Sequence, residues 1–246
     1  MTRLARWRGS LTIGDGWAIL EGETGENAPH AHLAHQFTAG TDGAIVIGSD
    51  GQSLAVEQRR YAAITPAHSH AILPVGCRIR SVYLDAVRMG FGRVQLPSGV
   101  SMLAASASAA LARCESNTAL RTWAQAVFSV TARPGRRFGP LYAALDLETA
   151  AVSPRAIAEI LGVSPSRLRQ ISIAAYGAPI ARVLQWRQVQ RAARALARSG
   201  NLADAAAAGG FADQAHFSRR MRRWFGVAPG AGLADLDIRI ADSSNE

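Results

Sequence analysis

The chain of 246 residues is long enough for one large domain or two smaller ones, and a hydrophobic content of 48% marks a folded protein rather than a disordered one. Its net charge of +9 rests on 27 arginines and no lysine, distributed as +2 over residues 1–131, +10 over 132–226 and −3 over the last twenty; one part is a candidate polyanion binder and the others are not. The two cysteines, Cys77 and Cys114, exclude a disulfide-rich scaffold and a four-cysteine zinc site.

The first twenty residues are broken by Gly9, Gly14, Asp15 and Gly16, so they lack a signal peptide's continuous apolar core, and a cytoplasmic location is expected. From about residue 10 to 96, short apolar runs such as AIVIG, SLAVE, AILPV and RIRSVYLDA alternate with the turn signals TDG, GSDG and PVG. This is the pattern of an antiparallel sandwich or barrel of about eight strands. After Pro97 the character switches. SMLAASASAALARC and ALRTWAQAVFSV read as helices, covering one end of the sheet or forming a dimer surface. The alanine-rich stretch at 100–112 is too short to span a bilayer, so no membrane partner is expected. TARPGRRFG, with Pro134 and Gly135, marks a boundary, and the residues from about 138 to 228 read as helical. The expected class is therefore α+β, divided into a β domain (1–96), a helical connector or dimerisation segment (97–132), a helical domain (133–232) and an acidic, flexible tail (233–246).

Within the helical domain one device occurs twice. In SPRAIAEILGVSPSRLRQISIAAYG a short helix ends at Gly162, and a second starts after the N-cap Ser164 with Pro165 at its first position. Ala156, Ile160 and Val163 are expected to pack on Leu168 and Ile171, leaving Ser166, Arg167, Arg169 and Gln170 open. In LADAAAAGGFADQAHFSRRMRRWFG an alanine helix stops at Gly209 and Gly210 and Asp213 caps the next. Phe217, Met221 and Trp224 then turn inward while Gln214, Ala215, Ser218, Arg219 and Arg222 stay outside. Between them a helix from about 180 to 198 carries Arg187 and Arg191, and its length of about 28 Å suits two recognition helices about one DNA turn, 34 Å, apart. Base contacts are expected from Ser166, Arg167, Gln170, Gln214, Ala215 and Arg219, and phosphate contacts from Arg169, Arg187, Arg191, Arg220, Arg222 and Arg223.

Residues 153–230, and GGFADQAHFSRRMRRWFGVAP above all, resemble the DNA-binding domain of the AraC/XylS family of bacterial transcription regulators. Gly210, Phe211, Phe217, Ser218, Arg219, Phe225, Gly226 and Pro229 occupy positions of the family's closing motif, whereas Gln170, Ser172, Gln188 and Met221 depart from its pattern. The resemblance implies two helix-turn-helix units joined by a long helix, binding double-stranded DNA, in a homodimer that engages RNA polymerase.

Five of the six histidines lie at 30, 32, 35, 68 and 70. In strands, His30, His32 and Gln36 would share one face, as would His68 and His70, while His35 would point the other way to an exposed position. Facing strands would gather imidazoles into a site for a divalent transition metal such as Zn or Ni. A metal-free small-molecule pocket and a merely polar rim remain open as alternatives. HAHLAHQFTAG and ITPAHSHAI resemble the two histidine strands of the cupin-type sensory domain attached to many short AraC-family regulators. That resemblance implies a cupin-like antiparallel β barrel and picks out His30, His32, Gln36 and His70 as metal ligands.

The expected function is sequence-specific transcriptional regulation under a metal or small-molecule effector, with no catalytic residues. Two other classes compete: a metal-dependent cupin-type enzyme fused to a DNA-binding domain, and a non-specific nucleoid-type DNA-binding protein. No acid–base pair stands beside the histidines, and no glycine-rich phosphate loop or nucleophile triad is present.

Overall fold

The computed structural model describes residues 6–89, 91, 96–128, 139–146 and 153–241. In chain order the elements are β1 (Arg8–Ile13), β2 (Trp17–Glu23), β3 (His35–Gly40), β4 (Ile45–Ser49), β5 (Gln52–Val56), β6 (Ala62–Ile64), β7 (Ala71–Leu73), β8 (Arg78–Leu84), β9 (Val100–Met102), α1 (Ala105–Leu111), α2 (Asn117–Val127), α3 (Gly139–Asp146), α4 (Pro154–Leu161), α5 (Pro165–Tyr176), α6 (Ile180–Ser199), α7 (Leu202–Gly209), α8 (Gln214–Phe225), α9 (Pro229–Gly232) and β10 (Asp235–Ile240). The boundary expected at 131–138 lies outside the described residues.

The strands form a seven-stranded sheet, β10-β1-β2-β8-β3-β6-β9, and a three-stranded sheet, β5-β4-β7. The expected barrel is not formed: neither sheet closes on itself, and β10 and β9 are the two edges of the larger one. The reason lies in how the faces are used. A small barrel has one interior, whereas all six residues of β3 are buried, so both of its faces are covered. On one side Phe37 packs edge-on to Trp123 and stacked on Phe128, ring centroids 5.1 and 5.6 Å away, and joins Val82, Leu111 and Leu120 in one cluster beneath α1 and α2. On the other, Ile45, Ile47 and Ile72 of the small sheet meet Ile64 and Ile79. The result is three layers: helices, large sheet, small sheet.

The connector thus spends its apolar face within its own chain, and residues 100–102, expected as helix, pair with β6 instead. Arg80 stitches this layer to the sheet. Buried on β8, it donates to Glu21 Oε1 (2.7 Å), the Tyr61 hydroxyl (3.2 Å), Leu111 O (3.0 Å) and Cys114 O, which satisfies carbonyls at the end of α1.

The helical half follows its caps. Ser153, Ser164, Asn201 and Asp213 each accept from a first-turn amide, and Gly162, Gly177, Gly200, Gly210 and Gly226 close the helices in the left-handed conformation. Its core centres on Ile157, Leu168, Val183, Val189, Ala205, Phe217 and Trp224. In α4 the inward residues are Ile157 and Ala158; Ile160, expected to pack, is 54% exposed because the buried stripe runs one position out of phase with the reading. Ser172, one of the departures from the resemblance's pattern, is buried and donates to Ala178 O at 2.7 Å, tying α5 to the start of α6.

The two halves are not separate bodies. Leu33 and Ala34, just before β3, are buried in the same cluster as Trp186 and Trp224, while Val227 joins the cluster of the small sheet. The final segment, expected as an acidic tail, returns to the large sheet: β10 runs parallel to β1 over six paired positions, Arg8↔Asp235 to Ile13↔Ile240. Its alternation explains why. Leu236 is buried and Ile238 and Ile240 are partly so, while Asp235, Asp237 and Arg239 face solvent and blunt the sheet edge.

Replacing Leu236 by Asp is expected to lower the unfolding free energy by about 2–4 kcal/mol, since a carboxylate replaces a buried side chain. Chemical denaturation measures this; a loss below about 0.5 kcal/mol, typical of surface positions, would contradict the docked strand.

Candidate nucleic-acid interface and metal centre

The basic surface is built on α5 and α8. Their inward stripes, Leu168 and Ser172 in α5 and Phe217, Met221 and Trp224 in α8, fix which side faces out. Ser166, Arg167, Arg169 and Gln170 are exposed on α5, and Gln214, Ala215, Arg219, Arg222 and Arg223 on α8. Arg167 Nη1 donates to Gln170 Oε1 at 3.1 Å, one helical turn on, which holds both side chains on the open face. Asp213 caps the start of α8, its Oδ1 accepting from His216 N at 2.6 Å, so its carboxylate sits at the positive end of the helix dipole.

Not every expected phosphate contact lies there. Arg220 is half-buried and donates to Gln185 Oε1 and His216 Nε2, each at 3.3 Å. Arg191 is half-buried on α6. Arg187 is buried, its Nη1 4.0 Å from Asp85 Oδ2, and so faces the β half instead of solvent. The heptad-like spacing of arginines along α6 concealed this, since a basic residue there was read as outward by default.

Asp85 is the hub that the sequence did not reveal. Its Oδ2 accepts from Trp186 Nε1 (3.2 Å) and Gln190 Nε2 (3.1 Å), both on α6, and its Oδ1 accepts from Arg88 N (3.1 Å). Nearby, Arg194 Nη2 donates to Gly14 O (2.9 Å) and Asp15 Oδ1 (3.3 Å). Burial alone would raise the Asp15 carboxyl, but the hydrogen bonds and charges of Arg88 and Arg194 outweigh it and hold that group below its ordinary value.

Three of the histidines converge beside Trp186 of α6, against which the His32 ring lies. His30 and His32 lie on the loop before β3 instead of in a strand, and His30 forms an isolated bridge with His70. One ligand nitrogen from each of His30, His32 and His70 lies within 4.8 Å of the others, all three residues being buried. Each ring donates its Nδ1–H to a backbone carbonyl: His30 to Ala28 O (2.9 Å), His32 to Ala34 O (3.0 Å) and His70 to His68 O (3.0 Å). Each Nε2 is then left with a lone pair, and the carbonyl at Nδ1 fixes the ring's tautomer and orientation, as it does for metal-ligating imidazoles.

Gln36, at the start of β3, completes the set. Its Oε1 lies 2.8 Å from Nε2 of both His32 and His70, while its Nε2 donates to Thr38 Oγ1 at 2.8 Å, itself 2.9 Å from Ser81 Oγ. With the amide oxygen facing inward, acceptors meet acceptors, an arrangement that a cation reconciles; turned round, the NH2 group would serve both rings. The three imidazoles are therefore a donor set capable of coordinating a metal ion.

His68 does not join this centre; its Nε2 lies 2.6 Å from Ser49 Oγ and 3.8 Å from Asp50. His35, expected to be exposed, is buried at 8%, because the other face of β3 is covered too. Burial disfavours the charged form of His30, His32, His35 and His70. It lowers His30, brings His32 and His35 to about 4, and with the neighbouring imidazoles takes His70 to about 2.

An apolar cavity of about 150 Å³ lies between the halves, walled by Trp7, Leu11 and Leu20 on one side and Trp186, Met221 and Phe225 on the other. Asp85, Gln190 and Arg194 give it a polar margin, and His30 and Gln36 also line it.

Comparison with known proteins agrees with this architecture. Residues 157–234 match the family model described as a helix-turn-helix domain. Structures of ToxT from Vibrio cholerae share the fold: one at 1.65 Å resolution aligns with a TM-score of 0.59 at 8% identity, covering 87% of this chain and 95% of that one. Apo ToxT K231A from strain SCE256 gives 0.61 at 8% identity over the same shares, and wild-type ToxT with bound unsaturated fatty acid gives 0.56 at 10%, covering 87% and 92%. Among curated proteins the sequence finds no match. Among the described residues no helix is long and apolar enough to cross a membrane.

The buried imidazoles set the acid stability of the metal-free protein. Unfolded histidines take up protons near pH 6.5 while the folded rings stay neutral, so the unfolded state binds more protons and stability falls as pH drops from 7 toward 4. Each ring contributes up to about 1.4 kcal/mol per pH unit in that window. Denaturant titrations between pH 7.5 and 4.5 are expected to show this decline, and a flat profile would contradict buried neutral rings.

Proposed function

We propose that the protein is a sequence-specific DNA-binding transcription regulator of AraC/XylS type, whose DNA occupancy responds to an effector held against the reader by the β half. The observation that carries this reading is the pair of capped helices, α5 and α8, that turn arginine, glutamine and small side chains outward from one shared core. Gln214 and Arg219 suit base edges, Ala215 and Ser166 allow close approach, and Arg169, Arg222 and Arg223 suit phosphates. Arg187 belongs to the interior tie with Asp85 instead. In this reading DNA is contacted by both units, with the chain acting as a homodimer at RNA polymerase.

Zn or Ni at His30, His32, His70 and Gln36 is the first candidate effector. The metal would supply a positive charge that all four acceptors share, and this chain's residues would hold it by lone pairs already aimed inward. The set lacks a carboxylate, which suits an exchangeable ion more than a permanent one. All three imidazoles would be spent on the ion, and among the described residues no carboxylate joins the cluster, which favours binding over catalysis.

The interdomain cavity favours a second effector class. Its volume of about 150 Å³ equals that of an apolar cavity that holds benzene and falls below the roughly 300–1,000 Å³ of drug-sized pockets. It suits a compact apolar or aromatic molecule with one polar group for Arg194 or Gln190. ToxT has been solved with an unsaturated fatty acid; a long acyl chain would require the two halves here to part.

Selection of genomic fragments with the purified protein, followed by salt-dependent binding to the enriched site, tests the reading. Paired half-sites about one helical turn apart are expected. Arg219→Ala and Gln214→Ala should each lose about 1–3 kcal/mol with relaxed preference at one base position, whereas Arg222→Ala should weaken all sequences and reduce the salt slope by about 1. Arg187→Ala should lower stability and leave the slope unchanged. Failure to enrich any sequence, with equal loss everywhere, would favour a non-specific DNA-coating protein.

A further inference from the structure

The loop between β2 and β3 belongs to both halves of the molecule. Asn27 anchors it to β7, donating from Nδ2 to Ile72 O and accepting at Oδ1 from Ile72 N, each at 3.0 Å. One residue on, Ala28 N donates to Gly226 O at 3.1 Å, at the C-cap of α8. His30 exchanges both backbone hydrogen bonds with His70, at 3.0 and 2.9 Å. The His32 ring lies against Trp186 of α6 and Phe225 of α8, with centroids 6.1 and 5.9 Å apart, and Leu33 and Ala34 then enter the helical core.

Gly226 shows how close this contact is. Its φ of +72° is strained for other residues, and a Cβ there would lie 2.3 Å from Ala28 O and 2.8 Å from His30 Nδ1. The end of a recognition helix therefore rests directly on a residue of the histidine centre.

Resting on the metal reading above, we infer that the three-histidine centre is a clasp for the DNA reader: a divalent transition metal bound by His30, His32, His70 and Gln36 fastens the loop to the sheets and thereby fixes α6 and α8 in the docked position. Two donors sit on the docking loop, one beside β7 and one on β3, so a single ion ties the loop to both sheets. The donors are gathered only while the loop holds this course, and that course is the one shaped around Trp186, Phe225 and Gly226. A ligand stabilises the state that it binds better, so metal favours docking; by reciprocity, docking favours metal. Coupling of this kind amounts typically to roughly 5- to 150-fold in affinity. The reading faces of α5 and α8 are exposed in the docked state, so the clasp acts on the reader's position and not by covering it.

Hydrogen exchange on the full chain, with and without Zn(II) or Ni(II), tests the clasp alongside calorimetric titration of the same ions. Binding accompanied by slower exchange in the loop, in α6 around 186–190 and in the last turn of α8 is expected, with α5 little changed. Arg194→Ala, which removes the tie of α6 to Gly14 and Asp15 and touches none of the four donors, should weaken metal binding about 5-fold or more through undocking. Metal binding with protection confined to residues 24–36 and 68–72, and unchanged affinity in Arg194→Ala, would overturn the clasp and leave the metal site standing. Absence of binding by either ion would overturn the metal reading together with the clasp. His70→Ala supplies a third check, since metal-dependent protection of α8 that survives it would place the ion elsewhere and overturn the assignment.

Discussion

A buried carboxylate cannot stand alone, and Asp85 organises the interface between the halves for that reason. Only 5% exposed, it would leave an uncompensated charge in the interior without its partners. Two of its direct donors and its nearest guanidinium, those of Trp186, Gln190 and Arg187, lie on successive turns of α6. Moving α6 away from β8 strands Asp85 and Arg187 together. The axis of the reader is thus set by a polar contact whose loss is expensive on both sides.

Around this contact the other ties fall into place. Arg194 reaches Asp15 one turn farther along α6, Leu33 and Ala34 fill the gap beside Trp186, and β10 carries the chain back to β1. The helical domain is consequently held on the β half along its central helix and again at its end. The cavity lies where apolar residues from both halves line the same space, and the histidine centre lies at its edge. A guest in the cavity touches residues of both halves at once, and an ion in the histidine centre would hold the loop whose His32 packs on Trp186 and Phe225; either is the physical condition for a binding event to be felt by the helical half.

The helical half was largely legible in the sequence because its signals are local. Ser164 with Pro165, Asp213, and the glycines at 162, 210 and 226 mark helix ends through hydrogen bonds and φ values that depend on few neighbours. The histidine centre was legible as residue types, though not as strands: His30 and His32 meet His70 through a loop, not through shared strand parity. What could not be read was long-range. Alternation in DLDIRI was visible, but acidic residues suggested a tail, and nothing local announced that β1 was waiting for a parallel partner. Arg187 and Asp85 are 102 positions apart, and neither carries a local sign of burial. Barrel closure depended on whether β9 and β10 met one another, a question of global topology that strand patterning does not answer.

The exposure of the reading faces constrains how such a molecule can be regulated. Masking would require the β half to cover Arg167, Gln214 or Arg219, and all three face solvent while the halves are docked. In the proposed regulator, control would instead act on where the pair of recognition helices stands relative to that of a second copy. Both α5 and α8 pack on α6, and α6 is the element that Asp85, Asp15 and the histidine loop hold. A shift of α6 by a fraction of a turn would carry both reading faces together, preserving each helix-turn-helix while changing its aim. Simultaneous contact at two half-sites tolerates little such error, because linked binding is lost once geometry prevents both units from engaging. Small changes at the interface can therefore alter occupancy on DNA steeply without any reading residue being hidden.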